Sequence, residues 1–262
     1  MRLTDENAAF KAKLERGDVC LGSWVTFSDP CVGECMALAG FDFLFMDQEH
    51  SPNDYLWVQS MCMALKGTGC APMVRVPWND VVMIKRVLDV GAAGVILPWV
   101  RSVKDVEYGV AACKYPPRGV RGYGPRRPHH YGRIEAEYRE VANAQTIVIA
   151  QIEHIDAVNC IEDIMQIDGL DGVFIGSNDL SGSMGKLGHP KDPDVLAAIA
   201  TVLAAGKAHG TPVGIASSDN PADNVAYIRA GFTFLGMSVD FAFMSKAVDQ
   251  LITGVKAGLA AN

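Results

Sequence analysis

Short, almost wholly apolar runs recur along the chain, and between them lie longer stretches whose apolar positions repeat at helical spacing. Four of the runs follow a glycine: GFDFLFMD from Gly40, GAAGVILP from Gly91, GLDGVFIG from Gly169 and GFTFLGM from Gly231. A glycine just past a helix takes the left-handed cap at little cost, and a continuous apolar run behind it reads as a strand buried on both faces. Leu21–Thr26, Ala71–Val76, Ile147–Ile152 and Pro212–Ala216 fit the same strand role. Helical patterns fall over Asn79–Val90, Val103–Cys113, Ile155–Ile167, Asp194–His209 and Pro221–Ala230. Eight strands alternating with helices over 262 residues predict an α/β chain folded as a (β/α)8 TIM barrel, one domain spanning residues 1–262. A doubly wound open sheet is the competing arrangement. It would carry a G-x-G-x-x-G turn after its first strand, where this chain has Ser28-Asp29-Pro30.

Composition narrows the function classes. With 49% apolar and 20% charged residues the chain can bury a sizeable core. Lys and Arg number 23 against 30 Asp and Glu, a formal charge of −7, which disfavours nucleic acid and anionic membranes as partners. No apolar run reaches the roughly 20 residues that span a bilayer. The polar start Met1–Asn7 is not that of a secretory signal, so a soluble, cytoplasmic protein is expected. The seven cysteines are odd in number with no C-x-x-C pair, and reduced core thiols are expected rather than disulfides or a zinc cluster.

A barrel of this kind carries its chemistry at the C-terminal ends of its strands. The polar residues there are Asp47, Glu49 and His50 after the second strand, Arg75 at the third, Gln151 and Glu153 at the fifth, and Asp179 after the sixth. Glu153 and Asp179 offer hard oxygen ligands for Mg²⁺ or Mn²⁺. Read singly, Glu153 is equally a salt-bridged strand end and Asp179 a helix N-cap. Arg75, flanked by apolar residues in APMVRVPW, needs an anionic or oxygen-rich partner, either a substrate oxygen or one of these carboxylates. Asp47 precedes His50 by three residues, a spacing in which a carboxylate can orient the imidazole and raise its basicity. A lone strand-end histidine is otherwise a structural residue.

The segments MDQEHSPND, MVRVPWND, PPRGVRGYGPRR, QIE and VFIGSNDLSGSMG resemble, in order and spacing, the metal-dependent class II pyruvate aldolases of the HpcH/HpaI family. The type activity there is 4-hydroxy-2-oxoheptanedioate aldolase, and the similarity runs from Trp24 to about Asp240. The resemblance implies a TIM barrel of the phosphoenolpyruvate/pyruvate superfamily and a cytoplasmic lyase of aromatic or sugar-acid catabolism. It also implies a homohexamer in which the C-terminal helix, about 240–258, is exchanged between subunits. It makes Glu153 and Asp179 the ligands of Mg²⁺, Mn²⁺ or Co²⁺, Arg75 the contact to the pyruvyl oxygen, Asp47 and His50 the acid–base dyad, and Gln151 a substrate-site amide. The backbone around Gly176, Ser177 and Asn178 would receive the pyruvate carboxylate. Ser177, Asn178 and His154 stand where the family often carries Pro, Ala or Pro, and Thr. The implied reaction cleaves a 4-hydroxy-2-oxo acid to pyruvate and an aldehyde through a metal-stabilised enolate, with no Schiff-base lysine. The aldehyde pocket is expected among the loops after strands 1, 4 and 7, with Trp24, Arg126 and Ala216 lining it.

Other signals are weaker. Gly182-Ser-Met-Gly-Lys186 has neither the glycine spacing nor the Ser/Thr of a phosphate loop. Pro116–Arg133 is the one local basic cluster, with Arg118, Arg121, Arg126, Arg127, Arg133, His129 and His130, and is expected as a substrate-side or subunit-interface loop. Trp57, Met61, Met63 and Leu65 read as helix packing. Two other functions stay open: a related carbon–carbon lyase or decarboxylase acting on an acyl-CoA or a 2-oxo diacid, for which the arginine loop is the candidate 3′-phosphate reader, and a catalytically silent oligomeric barrel.

Overall fold

The computed structural model describes residues 5–260; Met1–Thr4, within the polar start noted above, and Ala261–Asn262 lie outside them. Eight strands, β1 (Cys20–Val25), β2 (Phe43–Asp47), β3 (Ala71–Arg75), β4 (Gly94–Leu97), β5 (Ile147–Ile152), β6 (Gly172–Ile175), β7 (Val213–Ser217) and β8 (Phe234–Val239), close into one parallel barrel in sequence order. Twelve helices accompany them among the described residues: α1 (Asp5–Arg16), α2 (Pro30–Ala37), α3 (Tyr55–Ala64), α4 (Val81–Asp89), α5 (Val103–Cys113), α6 (Glu135–Gln145), α7 (Ile155–Asn159), α8 (Ile161–Ile164), α9 (Ser177–Ser183), α10 (Pro193–His209), α11 (Pro221–Ala230) and α12 (Asp240–Ala260). The architecture is the (β/α)8 barrel that the alternation predicts.

Strand parity sorts the core into two layers, because successive side chains point to opposite faces. One set, including Leu44, Met46, Val74, Val148, Ala150, Val173 and Ile175, is buried with side chains of the surrounding helices. The other, including Phe43, Phe45, Met73, Ile96, Ile149, Phe174 and Phe234, fills the barrel. Phe45 and Phe174 meet edge-on at 5.2 Å, and Phe174 lies 5.8 Å from Phe234. At the N-terminal end α1 closes the barrel: Phe10 stacks on Phe43 at 4.8 Å, and Phe10 and Leu14 are buried. Each such side chain contributes roughly 1.5–3 kcal/mol by leaving water.

Each of the four glycines that open the repeats, Gly40, Gly91, Gly169 and Gly231, has φ between +90° and +112°, the left-handed conformation expected of them. The expected helix over Ile155–Ile167 is broken into α7 and α8. Cys160 leaves the helical region (φ −119°, ψ 24°) while its thiol engages the Asp156 carbonyl at 3.4 Å. The cysteines are free, but Cys31 and Cys35 are exposed rather than core, because α2 turns Gly33 and Ala37 inward instead. On α3, Trp57 and Met61 are buried, as is Leu65 at its C-cap, whereas Met63 is 58% exposed.

Candidate active site

The inward parity that places phenylalanines in the barrel also places polar groups at its C-terminal mouth. Two residues past Phe45 comes Asp47, two past Met73 comes Arg75, and Gln151 and Glu153 follow Ile149 on the same face. The β2–β3 register sets Asp47 directly opposite Arg75. Their side chains form a two-point ion pair: Arg75 Nε donates to Asp47 Oδ1 at 2.9 Å and Nη2 to Oδ2 at 2.7 Å, with both residues buried. Such a fork is among the strongest charge-assisted geometries. Below it the Trp24 ring lies 4.5 Å from the guanidinium carbon and packs on Phe45 and Phe174. Gly236 leaves room for that indole, since a Cβ there would come within 2.8 Å of Trp24 Nε1. Trp24 and Ala216 thus pack on the phenylalanine cluster at the floor of the mouth, rather than projecting from loops as expected.

The expected pairing of Asp47 with the His50 ring is not what the structure forms. Besides Arg75, Asp47 Oδ1 accepts from the backbone N–H of Glu49 (3.0 Å) and of His50 (3.4 Å). The imidazole stands at the rim, 65% exposed, with Glu49 Oε2 3.7 Å from its Nε2. The reason is register: Asp47 faces Arg75 across the ladder, so its two oxygens are taken by that guanidinium and by the backbone of the turn, not by the imidazole.

Glu49 belongs to this site, although the sequence alone assigns it no role. Its Oε2 lies 3.1 Å from Arg75 Nη1 yet is buried without a properly aligned hydrogen bond, and burial pushes its pKa up to about 7. Glu153 is 1% exposed; it accepts from the Trp99 N–H at 2.6 Å and from Gln151 Nε2. Burial, first of all, pushes it to about 7 as well, and Glu49 and Asp179 add to the rise. Gln151 Oε1 is buried and unpartnered. Trp99 is the other residue that sequence reasoning missed. It follows Leu97-Pro98 at the end of β4, a position the barrel rule marks, and holds φ +54°, strained for an aromatic residue. His154 caps α7, accepting from the Asp156 N–H at 3.1 Å, the service a threonine would give.

Asp179 sits in the first turn of α9, exposed at the rim; Gly176, not Asp179, is the N-cap. That first turn has no side-chain cap, so its amides around Ser177 and Asn178 are open toward an anionic group. Gly176 permits the close approach, because a Cβ there would stand 3.0 Å from Glu153 Oε2 and 3.1 Å from Gln151 Nε2.

Does this donor set suit a divalent cation? Among the described residues no group of three or more His, Cys, Asp or Glu side chains is arranged to hold an ion. Glu153 instead feels the charges of both Asp179 and Glu49 at the mouth. A hard cation that keeps its waters and takes substrate oxygens uses one or two protein carboxylates, so the residues fit Mg²⁺ or Mn²⁺ bound together with substrate. Two buried acceptors without a hydrogen bond, Glu49 Oε2 and Gln151 Oε1, agree with that fit.

The arginine loop lies elsewhere. It connects α5 to α6, and αβ connections run at the N-terminal face of the barrel. There Arg121 Nη2 bonds Asp89 at the end of α4 (2.8 Å), and Arg127 Nη2 bonds the Cys62 carbonyl of α3 (2.7 Å). Arg126 is exposed on that loop and does not line this chain's barrel mouth. Lys114, a buried lysine whose pKa burial lowers, is at the same far end, donating to the carbonyls of Asn143 and Thr146.

A family model described as HpcH/HpaI aldolase/citrate lyase matches residues 21–247. The 5-keto-4-deoxy-D-glucarate aldolase of Escherichia coli O6:H1 is 38% identical over 243 residues, covering 92% of this chain and 94% of that protein. Among solved structures, a HpcH/HpaI aldolase/citrate lyase family protein from Burkholderia cenocepacia superposes with a TM-score of 0.90 at 34% identity, covering 95% of this chain and 99% of that one. The HpcH/HpaI aldolase from Desulfitobacterium hafniense gives a TM-score of 0.87 at 28% identity, covering 94% and 96%.

Proposed function

The chain belongs to the HpcH/HpaI aldolase/citrate lyase family, whose members are carbon–carbon lyases, and from that premise we propose that it is a class II aldolase. It cleaves a 4-hydroxy-2-oxo acid, reversibly, to pyruvate and an aldehyde, with a divalent cation (Mg²⁺, Mn²⁺ or Co²⁺) as cofactor. The observation that carries this reading is the convergence, at one barrel mouth, of a buried guanidinium with three carboxylates, Glu49, Glu153 and Asp179, two of them pushed up to about 7.

Glu153 and Asp179 would hold the cation, which when bound supplies Lewis-acid charge beside the 2-oxo oxygen. Arg75 is fixed by Asp47 along one edge, and a preset guanidinium stabilises the oxygen where negative charge develops. Its fork, unlike a lysine, keeps that orientation without further ordering. The open first turn of α9 at Ser177 and Asn178 receives the pyruvyl carboxylate, and Gln151, donating to Glu153, has its free carbonyl oxygen to orient substrate. His50 takes the 4-hydroxyl proton through a water. The C3–C4 bond then breaks, its electron pair passes to the pyruvyl fragment as an enolate, and protonation at C3 releases pyruvate. The Trp24–Phe45–Phe174 floor keeps bulk water from below.

5-Keto-4-deoxy-D-glucarate, numbered from its other end, is itself a 4-hydroxy-2-oxo diacid, so sugar-acid substrates head the panel. A lyase acting on acyl-CoA esters loses its support, because the arginine loop that would read the 3′-phosphate stands at the opposite end of this chain's barrel. Pyruvate release from a panel of 4-hydroxy-2-oxo acids, with and without Mg²⁺, Mn²⁺ or Co²⁺, tests the reading. Metal-dependent turnover of a CoA ester alone would replace it.

We infer further that each chain forms one barrel domain in a cytoplasmic homohexamer. No helix is long and apolar enough to cross a membrane, among the described residues. Along α12, Phe241, Met244, Val248, Leu251, Val255 and Leu259 are all at least 50% exposed at helical spacing, and that stripe suits exchange with a second copy. A monomeric solution mass would overturn the exchange.

A further inference from the structure

At the N-terminal end of the barrel, opposite the candidate active site, lies a cavity of about 500 Å³. Five groups that can carry positive charge line it: Lys66, Arg121, Arg127, His130 and Arg133. In a chain of net charge −7 this is an unusual concentration of one sign. Among the described residues only Arg121 of these five has a carboxylate partner, Asp89. Arg127 and Arg133 donate to the backbone carbonyls of Cys62 and His130. Burial, then the nearby Lys66 and Arg127, lower the His130 pKa.

The cations are built into the fold. Arg121 is 1% exposed, its guanidinium lies 4.5 Å from the Tyr115 ring centre, and its Nε is buried without a hydrogen-bond partner. A buried, unsatisfied arginine donor is costly, which argues for a partner that completes it. Gly91 leaves the space that Arg127 occupies, since a Cβ there would come within 2.2 Å of Nη1. His130 and Tyr131, on the rim, both hold left-handed backbone at φ +53° and +55°. Non-glycine residues in that region cost about 1–3 kcal/mol each and concentrate at ligand clamps.

We propose that this cavity binds a small, multiply charged organic anion of the polycarboxylate or phosphate-ester class. Its volume falls within the roughly 300–1,000 Å³ of small-molecule sites. Its walls pair the cations with apolar side chains, Met63, Leu88 and Ala142. A bare inorganic ion would leave those walls uncovered. The site is distinct from the candidate active site: its lining includes Ala92, Ala93 and Thr146, which immediately precede β4 and β5, whereas the lyase chemistry gathers at the opposite strand ends.

Calorimetric titration of the metal-free full chain with citrate, adenosine 5′-monophosphate and, as a neutral control, glucose tests the proposal. One saturable site per chain is expected for citrate or the nucleotide, and none for glucose. Lys66→Ala with Arg133→Ala, both exposed positions, should weaken binding by at least about tenfold, a loss of about 1.4 kcal/mol. Lys66→Gln with Arg133→Gln repeats the test with longer side chains, and unaltered circular dichroism shows that the fold is kept. Arg75→Ala should leave this binding unchanged. The proposal fails if neither anion binds, if the double variants bind as tightly as the parent, or if Arg75→Ala abolishes binding, which would put the ligand in the barrel mouth. It fails too if the double variants lower the solution mass without any anion binding, which would assign the cations to the face of a second copy.

Discussion

Arg75 and Asp47 are opposite one another across the β2–β3 ladder, and their side chains close a buried two-point ion pair of 2.9 and 2.7 Å. The pair fixes the guanidinium before any substrate arrives. Removing one partner leaves the other charged and buried, which costs about 3–5 kcal/mol. Arg75→Ala is therefore expected to lower thermal stability and to reduce turnover by orders of magnitude. Arg75→Lys restores the charge but not the fork, so it should recover more stability than activity. Equal recovery of both would show that orientation is unimportant.

His50 gives the opposite split. Its ring is 65% exposed and makes no close ion pair, so His50→Ala should leave the melting temperature nearly unchanged. As general base it contributes about 10²–10⁴-fold, and kcat should fall by that amount. Undiminished pyruvate release by His50→Ala would move the base to another group.

Glu49 and Glu153 predict a pH signature in the metal-free protein. Both are pushed by burial to about 7, whereas an unfolded glutamate ionises near pH ~4.3. For an acid whose folded pKa is raised, the protonated form is favoured by the fold. Stability is then full below the unfolded pKa and declines as pH rises toward the folded value. Melting temperatures measured from pH 5 to 8 should fall more steeply in the parent than in Glu49→Gln/Glu153→Gln. Mg²⁺ or Mn²⁺ should oppose the decline, and metal affinity should increase as pH passes 7. Parallel curves for parent and double variant would refute the assignment.

A Schiff-base route is the chemical rival. Lys85 lies on the outer helix α4, and Lys114 is bound to two carbonyls at the far end of the barrel. Lys85→Ala should turn over nearly as the parent does, and borohydride with pyruvate should leave the chain unmodified in a mass spectrum. A trapped pyruvate adduct would sink the metal-enolate mechanism.

The barrel is legible in the sequence because its signal is local: an apolar run, a left-handed glycine and a helical stretch, repeated. Inward placement of Arg75, Gln151 and Glu153 is legible too, since each lies an even number of residues from a core-facing Met73 or Ile149. The partner of Asp47 is not. Sequence proximity favours His50 three residues on, whereas the ladder register brings in Arg75 from 28 residues away. The arginine loop is ambiguous for a similar reason. Its place after the fourth strand unit is plain, but which end of this chain's barrel it reaches depends on its following α5 rather than β4, and that leaves the subunit-interface alternative of the two expected. Trp99 gives no compositional signal, since its backbone N–H does the work.

The phenylalanine layer of Phe43, Phe45, Phe174 and Phe234, closed beneath by Phe10, makes the barrel a blind well with a single door. Whatever enters must leave by the route it came. Of two fragments lying one above the other in such a well, the outer departs first and, in the synthetic direction, arrives last. In the proposed reaction, kinetic order would then follow from the aromatic rings that close the well beneath Trp24 and Arg75.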